Sequence, residues 1–136
     1  MSQIDKVRII HRQLKKDERG WFLKVITGKE ECIPNHTGEV YLTMAKPGFS
    51  KGGHYHNEAV EWFTVILGEA TLKLEDIESH EQMEIEMSLL KAITVFIPQR
   101  VAHLVVNKGN EDCILLAYTD VLYKPEDTIP YNIKED

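Results

Sequence analysis

The sequence predicts an all-β fold, and two observations support this prediction. Apolar and polar residues alternate with a period of two along most of the chain, which is the periodicity of a strand with one buried face. Short turns that contain Gly20, Gly28, Gly68 and Gly109 separate these segments at intervals typical of a β-sandwich or a β-barrel. At 136 residues the chain has the length of one domain, so we expect a single domain over residues 1–136.

The predicted strands follow one another along the chain. Alternation is clearest at 71–75 and 83–87, where one face is apolar and the other charged, as a half-exposed antiparallel sheet requires. The tail from Lys124 contains Pro125 and Pro130, so we predict that it is irregular and crosses the surface of the domain or of a partner subunit. In order, the predicted strands are 7–14, 21–26, 39–45, 61–67, 69–77, 82–87, 93–97, 103–107 and 113–119.

Charge and composition argue against several classes of partner. The formal net charge of −6 would repel a phosphate backbone, and no block of lysine and arginine offsets it, so we expect no nucleic-acid partner. No apolar run approaches the ~20 residues of a membrane span, and the N-terminus lacks the build of a signal peptide. We therefore expect a cytoplasmic protein with no membrane partner, in which Cys32 and Cys113 are free thiols.

Three side chains of metal-ligand type lie close together in the middle of the chain. His54 and His56 are separated by one residue, and alternate residues of a strand face the same way, so their imidazoles project together. Glu61 follows on the next strand, where its carboxylate reaches the same place. Imidazole and carboxylate are ligands of first-row metal ions. The spacing therefore predicts a metal site inside a small barrel.

This segment resembles the first sequence motif of the cupin family. That motif reads Gly-x5-His-x-His-x4-Glu-x6-Gly, and the chain matches every position of it. The matching residues are Gly48, His54, His56, Glu61 and Gly68.

A second cupin motif is matched in part by residues 98–107, which include His103. Ala92 and Arg100 stand where cupins usually have glycine. The resemblance implies a double-stranded β-helix, that is, a jelly-roll barrel. It also implies a divalent metal ion, with zinc as our first expectation and iron, manganese or nickel as alternatives. The implied ligands are His54, His56, Glu61 and His103.

Two further stretches narrow the resemblance to cupins that act on nucleotide-linked deoxysugars. Residues 17–22 read Asp-Glu-Arg-Gly-Trp-Phe, which is similar to an element near the start of such proteins. Residues 38–56 resemble the C-terminal cupin domain of bifunctional capsular-polysaccharide enzymes, in which a reductase domain accompanies the cupin. This resemblance implies an epimerase that acts at C3 or C5 of a nucleotide-linked 4-keto-6-deoxy sugar in surface-polysaccharide biosynthesis. By analogy we also expect a homodimer with exchanged strands.

Such an epimerase needs a base, an acid and stabilisation of an enolate. Metal-free rhamnose-type epimerases use the first histidine of a His-Tyr-Gln sequence as base, whereas this chain has His-Tyr-His, which favours a metal. His54 is therefore a candidate both as a base and as a ligand, two roles that one nitrogen cannot combine. The other candidates for proton transfer are Lys51, Tyr41 and Tyr118.

Cationic side chains are the candidates for substrate binding. In the rhamnose-pathway 3,5-epimerases the arginine that corresponds to Arg19 contacts the nucleotide diphosphate, and a guanidinium suits phosphate through paired hydrogen bonds. Lys51 and Arg100 are the further candidates. We expect the aromatic residues at 21–22 and 62–63 to be core rather than a sugar platform.

Three alternative functions stay open at this point. A nucleotide-sugar 3,4-ketoisomerase would use related chemistry, although those enzymes usually have arginine and alanine where this chain has Lys51 and Tyr55. A metal-dependent cupin dioxygenase would use the same ligand types. A non-catalytic sugar-binding cupin would bind its ligand without turnover.

Overall fold

The structure is a computed structural model that describes residues 2–34 and 38–133. It consists mostly of strands, with two short 3-10 helices at Gln3–Lys6 and Pro125–Asp127. No helix in this described part of the chain is long and apolar enough to cross a membrane. In chain order the strands are β1 Arg8–His11, β2 Lys15–Asp17, β3 Gly20–Phe22, β4 Glu39–Ala45, β5 Ser50–Tyr55, β6 Glu61–Leu67, β7 Glu69–Asp76, β8 Gln82–Ser88, β9 Ile93–Ile97, β10 Val101–Val106, β11 Cys113–Thr119 and β12 Ile129–Pro130.

Two antiparallel five-stranded sheets face each other and form a barrel. The first sheet has the strand order β1-β9-β6-β11-β4, and the second has the order β12-β5-β10-β7-β8. Inward side chains of both sheets build one apolar core, in which Leu72, Leu74 and Val95 are completely buried. Burial of each such side chain contributes about 2 kcal/mol to the free energy of unfolding. The predicted all-β jelly-roll barrel is confirmed.

A second apolar cluster lies on the outer face of the first sheet. The ring of Trp62 packs against those of Phe96 and Tyr118, with centroids 5.1 Å and 5.3 Å apart. Neighbouring residues of a strand point to opposite faces, so Phe63 and Ala117 belong to the core between the sheets instead. The expectation that the aromatic residues at 62–63 are core residues is confirmed.

The strand predictions are most accurate in the body of the barrel. Predicted strands 39–45, 61–67, 93–97 and 113–119 match β4, β6, β9 and β11 in full. Those at 69–77 and 82–87 differ from β7 and β8 by one residue at one end, and 103–107 differs from β10 by two residues at its start and one at its end. The predictions 7–14 and 21–26 are too long, because β1 and β3 end early.

The C-terminal segment, residues 124–133, is more regular than predicted, and we call it the strap. After its 3-10 helix, β12 pairs with β5, so that Ile129 lies opposite Tyr55 and Pro130 opposite His54. The peptide N–H of Tyr131 donates to the carbonyl oxygen of Gly53 at 2.8 Å. The strap therefore crosses the barrel of its own chain, which agrees with one of the two predicted alternatives, and it is more regular than predicted only at its short 3-10 helix and at β12, where pairing with β5 orders it. Residues 134–136 of the predicted tail lie outside the described residues.

The β2–β3 hairpin contrasts with the barrel. Asp17 lies opposite Gly20, whose φ of +141° suits the turn expected there. Every residue of both strands is exposed, including Trp21 at 52% and Phe22 at 56%. The prediction that these two aromatic residues are core residues is therefore wrong, because within this chain the hairpin does not pack into the barrel core.

At two positions the chain departs from the second cupin motif, and at both the backbone has a positive φ. Ala92 has a φ of +48° and Arg100 a φ of +64°, the left-handed region that glycine enters without strain. The positions where cupins usually have glycine thus keep the glycine conformation here. Each non-glycine residue there costs about 1 kcal/mol or more.

The two cysteines differ in environment. Cys32 is exposed in a turn, and Cys113 is buried at the start of β11. Both are free, which confirms the expectation of free thiols.

Candidate active site

Three histidines meet inside the barrel. His54 in β5 lies opposite His103 in β10, and their ring centroids are 4.7 Å apart. His56 directly follows β5, with its ring centroid 5.2 Å from that of His54 and 5.5 Å from that of His103. Ring nitrogens of all three lie within 4.8 Å of one another. The structure thus brings together the three histidines that were predicted as ligands.

A β-bulge aims His54 at the other two rings. The register between β5 and β10 shifts, so that His103 lies opposite His54 whereas Leu104 lies opposite Gly52, which leaves Gly53 as the extra residue. Gly52 has a φ of +105°, and a Cβ there would lie 2.8 Å from the carbonyl oxygen of His103. A larger residue would push apart the two strands that carry the histidines. The Gly-Gly pair before His54 is therefore a local cause of the site geometry.

Glu61, the first residue of β6, is buried among these histidines. Its Oε1 lies 3.1 Å from Nε2 of His56 and 3.3 Å from Nε2 of His103. Its Oε2 accepts a hydrogen bond of 2.7 Å from the hydroxyl of Tyr41 in β4. All four predicted ligands and one predicted proton donor therefore occupy one site.

His103 has unsatisfied hydrogen-bonding capacity. Its side chain is 3% exposed, and neither ring nitrogen has a hydrogen-bond partner in the described part of the chain, although Nε2 lies near Glu61. Burial lowers the pKa of His103 to about 4, so its imidazole is neutral at pH 7. Leaving such a group unpaired costs about 1–3 kcal/mol. A neutral buried imidazole beside a carboxylate is a fitting donor for a metal ion, which would satisfy one of these nitrogens.

The other ionisable groups of the site are held in defined states. Burial and the charge of His56 lower the pKa of His54, so His54 is neutral at pH 7. Burial is the largest single effect on the pKa of His56 and acts to lower it, but the hydrogen bond to Glu61, the charges of Glu61 and Asp127 and the contact with the Asp127 backbone together hold that pKa above its usual value. Burial and the carboxylate of Glu61 raise the pKa of Tyr41, so its hydroxyl stays protonated. Burial would raise the pKa of Glu61, but contacts with His56, His103 and Tyr41 hold it below its usual value.

Asp127, in the strap, is a site residue that the sequence did not reveal. Its backbone carbonyl lies 2.7 Å from Nδ1 of His56, and a carbonyl can only accept, so Nδ1 carries a proton and Nε2 faces Glu61. The Asp127 carboxylate accepts hydrogen bonds of 2.8–3.1 Å from the peptide N–H groups of residues 57–59. Asp127 thus fixes both the ring of His56 and the loop that follows it. The Pro-Glu-Asp turn was its only sequence signal, and a turn does not identify partners about 70 positions away.

The site opens into a cavity of about 330 Å³. Of the predicted site residues that the structure describes, those that line the cavity are Tyr41, His54, His56 and Glu61. The remaining lining residues are Glu39, Ala59, Thr119, Val121, Leu122, Tyr123, Lys124, Asp127 and Thr128.

The other predicted residues lie outside this lining. Arg19 is exposed in the β2–β3 hairpin, where its Nη2 lies 2.7 Å from Asp17. Lys51 is exposed in β5. Arg100 contacts Glu78 at 2.5 Å and Asn57 at 3.1 Å. Tyr118 belongs to the outer cluster around Trp62, on the face of β11 that points away from the barrel interior.

Two curated relatives resemble this chain in sequence. UDP-2-acetamido-2,6-beta-L-arabino-hexul-4-ose reductase of Pseudomonas aeruginosa is 27% identical over 118 residues, which make up 87% of this chain and 30% of the reductase. This chain thus spans less than a third of that protein. The spore coat polysaccharide biosynthesis protein SpsL of Bacillus subtilis is 23% identical over 128 residues, covering 90% of this chain and 84% of SpsL.

Solved structures share the fold. The dTDP-6-deoxy-D-glucose-3,5-epimerase of Legionella pneumophila, in complex with dTDP-4-keto-L-rhamnose, superposes with a TM-score of 0.81 at 21% identity over 93% of this chain and 73% of the epimerase. The 3,4-ketoisomerase QdtA of Thermoanaerobacterium thermosaccharolyticum gives 0.74 at 21% identity over 90% and 86%. The capsular polysaccharide assembling protein CapF of Staphylococcus aureus gives 0.68 at 26% identity over 90% of this chain and 34% of CapF.

A family model agrees with these similarities. It describes the polysaccharide biosynthesis C-terminal domain and matches residues 15–131, which include both strands of the hairpin, every strand of the barrel except β1, and most of the strap. With the jelly-roll barrel and the histidine cluster already in place, this match shows that the chain is a cupin of the polysaccharide biosynthesis C-terminal domain family.

Proposed function

We propose that this protein is an epimerase of a nucleotide-linked 4-keto-6-deoxy sugar and acts in the cytoplasm in surface-polysaccharide biosynthesis. The observation that carries the proposal is a neutral imidazole and a protonated phenol that line one cavity, His54 and Tyr41. The names of the similar proteins support the substrate class. We propose further that residues 1–136 form one domain.

The positions of the two side chains support proton transfer on opposite faces of a sugar. The hydrogens next to a ketone are acidic, and epimerisation removes one and returns a proton from the other side. His54 belongs to β5 in the second sheet and Tyr41 to β4 in the first, so a sugar ring between the sheets would have one of them on each side. His54 is the proposed base. Tyr41, oriented by its hydrogen bond to Glu61, is the proposed acid.

A divalent metal ion fits beside this pair. His56, Glu61 and His103 would hold it, and the ring nitrogens of His103, which have no hydrogen-bond partner among the described residues, support the assignment. Zinc is our proposal, with iron, manganese or nickel as alternatives, because all accept imidazole and carboxylate ligands. Such an ion would polarise the ketone of the substrate as a Lewis acid.

Proton NMR in deuterium oxide tests the epimerase proposal directly. Purified protein is incubated with UDP- and dTDP-linked 4-keto-6-deoxyhexoses, and metal content is measured on the same sample. We expect enzyme-dependent uptake of deuterium at C3 or C5 with inversion of that carbon. No uptake with any of these sugars would overturn the proposal. In that case oxygen consumption by the iron-loaded protein would indicate a dioxygenase, and sugar binding without turnover would indicate a binding protein.

A His54→Gln variant separates the two roles of His54. If His54 is the base, the variant binds as much metal as the wild type but takes up no deuterium into the sugar. If His54 is a fourth ligand, the variant loses metal as well. His56→Gln is the matched control. Because His56 is assigned to the metal in both cases, this substitution should reduce the metal content in both.

A 3,4-ketoisomerase is the second candidate. It would use the same removal of a proton next to the ketone, and the likeness in fold to the Thermoanaerobacterium ketoisomerase favours keeping it. In the NMR experiment it would move the carbonyl from C4 to C3, whereas the epimerase leaves the carbonyl in place.

We also propose a homodimer in which the β2–β3 hairpin packs on the partner's β4. An isolated two-stranded hairpin is marginally stable in water, and this one exposes Trp21 and Phe22. At the edge of the first sheet, β4 exposes Val40, Leu42 and Met44. The exchange would also carry Arg19 towards the partner. Light scattering should give twice the monomer mass for the wild type and a smaller mass for a Trp21→Ser/Phe22→Ser variant.

A further inference from the structure

The cavity lining is poor in positive charge for an anionic substrate. Among its described residues, Lys124 is the only lysine or arginine, whereas Glu39, Glu61 and Asp127 are acidic. A nucleoside diphosphate carries negative charge on both phosphates, so it needs a cation near the cavity to offset these carboxylates.

Lys124 lies at the start of the strap. Its carbonyl oxygen accepts hydrogen bonds from the peptide N–H of Asp127 at 3.0 Å and from the hydroxyl of Thr128 at 3.3 Å. Its backbone is therefore fixed by the same turn that positions His56. The side chain projects from a defined point at the cavity.

The ammonium group of Lys124 is held by an exchangeable partner. Its Nζ lies 3.2 Å from Oε2 of Glu58, in the loop after His56, and the two side chains are 45% and 57% exposed. Water screens an ion pair of this exposure, so the pair contributes little to stability. A phosphate group can replace the carboxylate without opening the fold.

We propose that Lys124 binds the diphosphate of the nucleotide sugar, and that Glu58 holds the ammonium group at the cavity until the diphosphate displaces it. This inference rests on the proposed function, since it assigns the part of the same site that meets the nucleotide. Arg100 is less suited, because it is engaged by Glu78 and Asn57 outside the cavity lining.

Substitutions of Lys124 and Glu58 should change the affinity for nucleotides in opposite directions. Isothermal titration with UDP and dTDP compares the wild type with Lys124→Ala and Glu58→Gln. Loss of the ammonium should weaken binding of both nucleotides about tenfold, because a charge-assisted contact is lost. Loss of the competing carboxylate should tighten binding about threefold, because the ammonium is then free for phosphate. Uridine, which lacks phosphate, should be insensitive to both changes.

The matched control is Lys91→Ala, which removes an equally long exposed lysine outside the cavity lining. Thermal unfolding of each variant checks the fold. Equal affinity of Lys124→Ala and Lys91→Ala for UDP would overturn the inference, as would weaker binding by Glu58→Gln or no measurable binding of either nucleotide to the wild type.

The inference and the proposed function fail in different ways. If the expected nucleotide affinities are found but no deuterium enters any 4-keto sugar, the role of Lys124 stands and the epimerase does not. If deuterium uptake is found and Lys124→Ala leaves the KM for the sugar nucleotide unchanged, only the role of Lys124 is overturned.

Discussion

Two buried glutamates, Glu61 and Glu75, have similar neighbours on opposite faces of the barrel wall. Each accepts a hydrogen bond from a tyrosine hydroxyl and lies near a histidine: Tyr41 and His56 inside the barrel, and Tyr131 and His80 on the outer face of the second sheet. Glu75 also accepts a hydrogen bond of 2.7 Å from Gln82.

The difference lies in what surrounds each carboxylate. The partners of Glu75 are hydrogen-bond donors, and Tyr131 among them ties the strap to β7. Glu61 opens into the cavity and adjoins His103, whose nitrogens have no hydrogen-bond partner in the described chain. The same residue types therefore make a structural contact at Glu75, where donors satisfy the carboxylate, and a candidate active site at Glu61, where hydrogen-bonding capacity of His103 remains.

The largest expected effect comes from the same substitution at both glutamates. Glu61→Gln should reduce the rate of deuterium uptake about 100-fold, because the neutral amide no longer orients His56 and cannot replace a carboxylate ligand. Glu75→Gln should keep the rate within about twofold, since Glu75 does not touch the cavity. Similar losses in the two variants would refute the distinction between structural contact and candidate active site.

Asp127→Asn tests whether the strap serves the site. The amide keeps one acceptor oxygen for a loop that uses both carboxylate oxygens, so His56 should be less well positioned. We expect deuterium uptake to fall about tenfold and the free energy of unfolding to fall by about 1–3 kcal/mol. Urea unfolding and the NMR rate measure the two effects. An unchanged rate in a destabilised variant would make Asp127 purely structural.

At Glu75 the same substitution should lower the stability of the protein, although it leaves the rate of deuterium uptake nearly unchanged. Glu75→Gln places an amide N–H₂ where the carboxylate accepted hydrogen bonds, and should cost about 1–3 kcal/mol of unfolding free energy. Chemical denaturation followed by tryptophan fluorescence measures this loss. A fully stable Glu75→Gln protein would show that the structural contact is dispensable.

The smallest effect concerns alkaline pH. Burial and the hydrogen bond to Glu75 raise the pKa of Tyr131 to about 12 from a usual value of 10.0. Between these values the unfolded state has lost the phenolic proton and the folded state keeps it, so the free energy of unfolding contributed by Tyr131 falls as pH rises. Denaturation series at pH 9 and pH 11.5 should show a smaller loss in Tyr131→Phe than in the wild type. Equal losses in Tyr131→Phe and the wild type would contradict this prediction.

The sequence predicted the barrel and the meeting of its histidines well, because both depend on local patterns. Period-two alternation located the central strands, and the spacing of His54, His56 and Glu61 predicted a site whose geometry depends also on the bulge at Gly53. The side of the sheet on which Tyr118 lies could not be predicted in this way. Both faces of β11 are apolar, so alternation does not show which one is inside.

Contacts between distant segments were not predictable from local patterns. Asp127 reaches the loop after His56, and Lys124 pairs with Glu58 about 66 positions away. Either residue alone reads as a charged residue of a turn. Whether the β2–β3 hairpin is exposed likewise depends on which other segments pack against it. The residues of the hairpin itself do not show this.

The position of the strap in the chain gives the site an order of assembly. During translation His54, His56, Glu61 and His103 all leave the ribosome before Asp127, so the barrel can form while Nδ1 of His56 and the amides of residues 57–59 still lack the acceptors that the strap supplies. Docking of the strap is then both a late folding step and the step that finishes the site. A nascent chain that stops before Lys124 would hold all four predicted ligand residues but would lack the contacts that orient His56 and the loop after it.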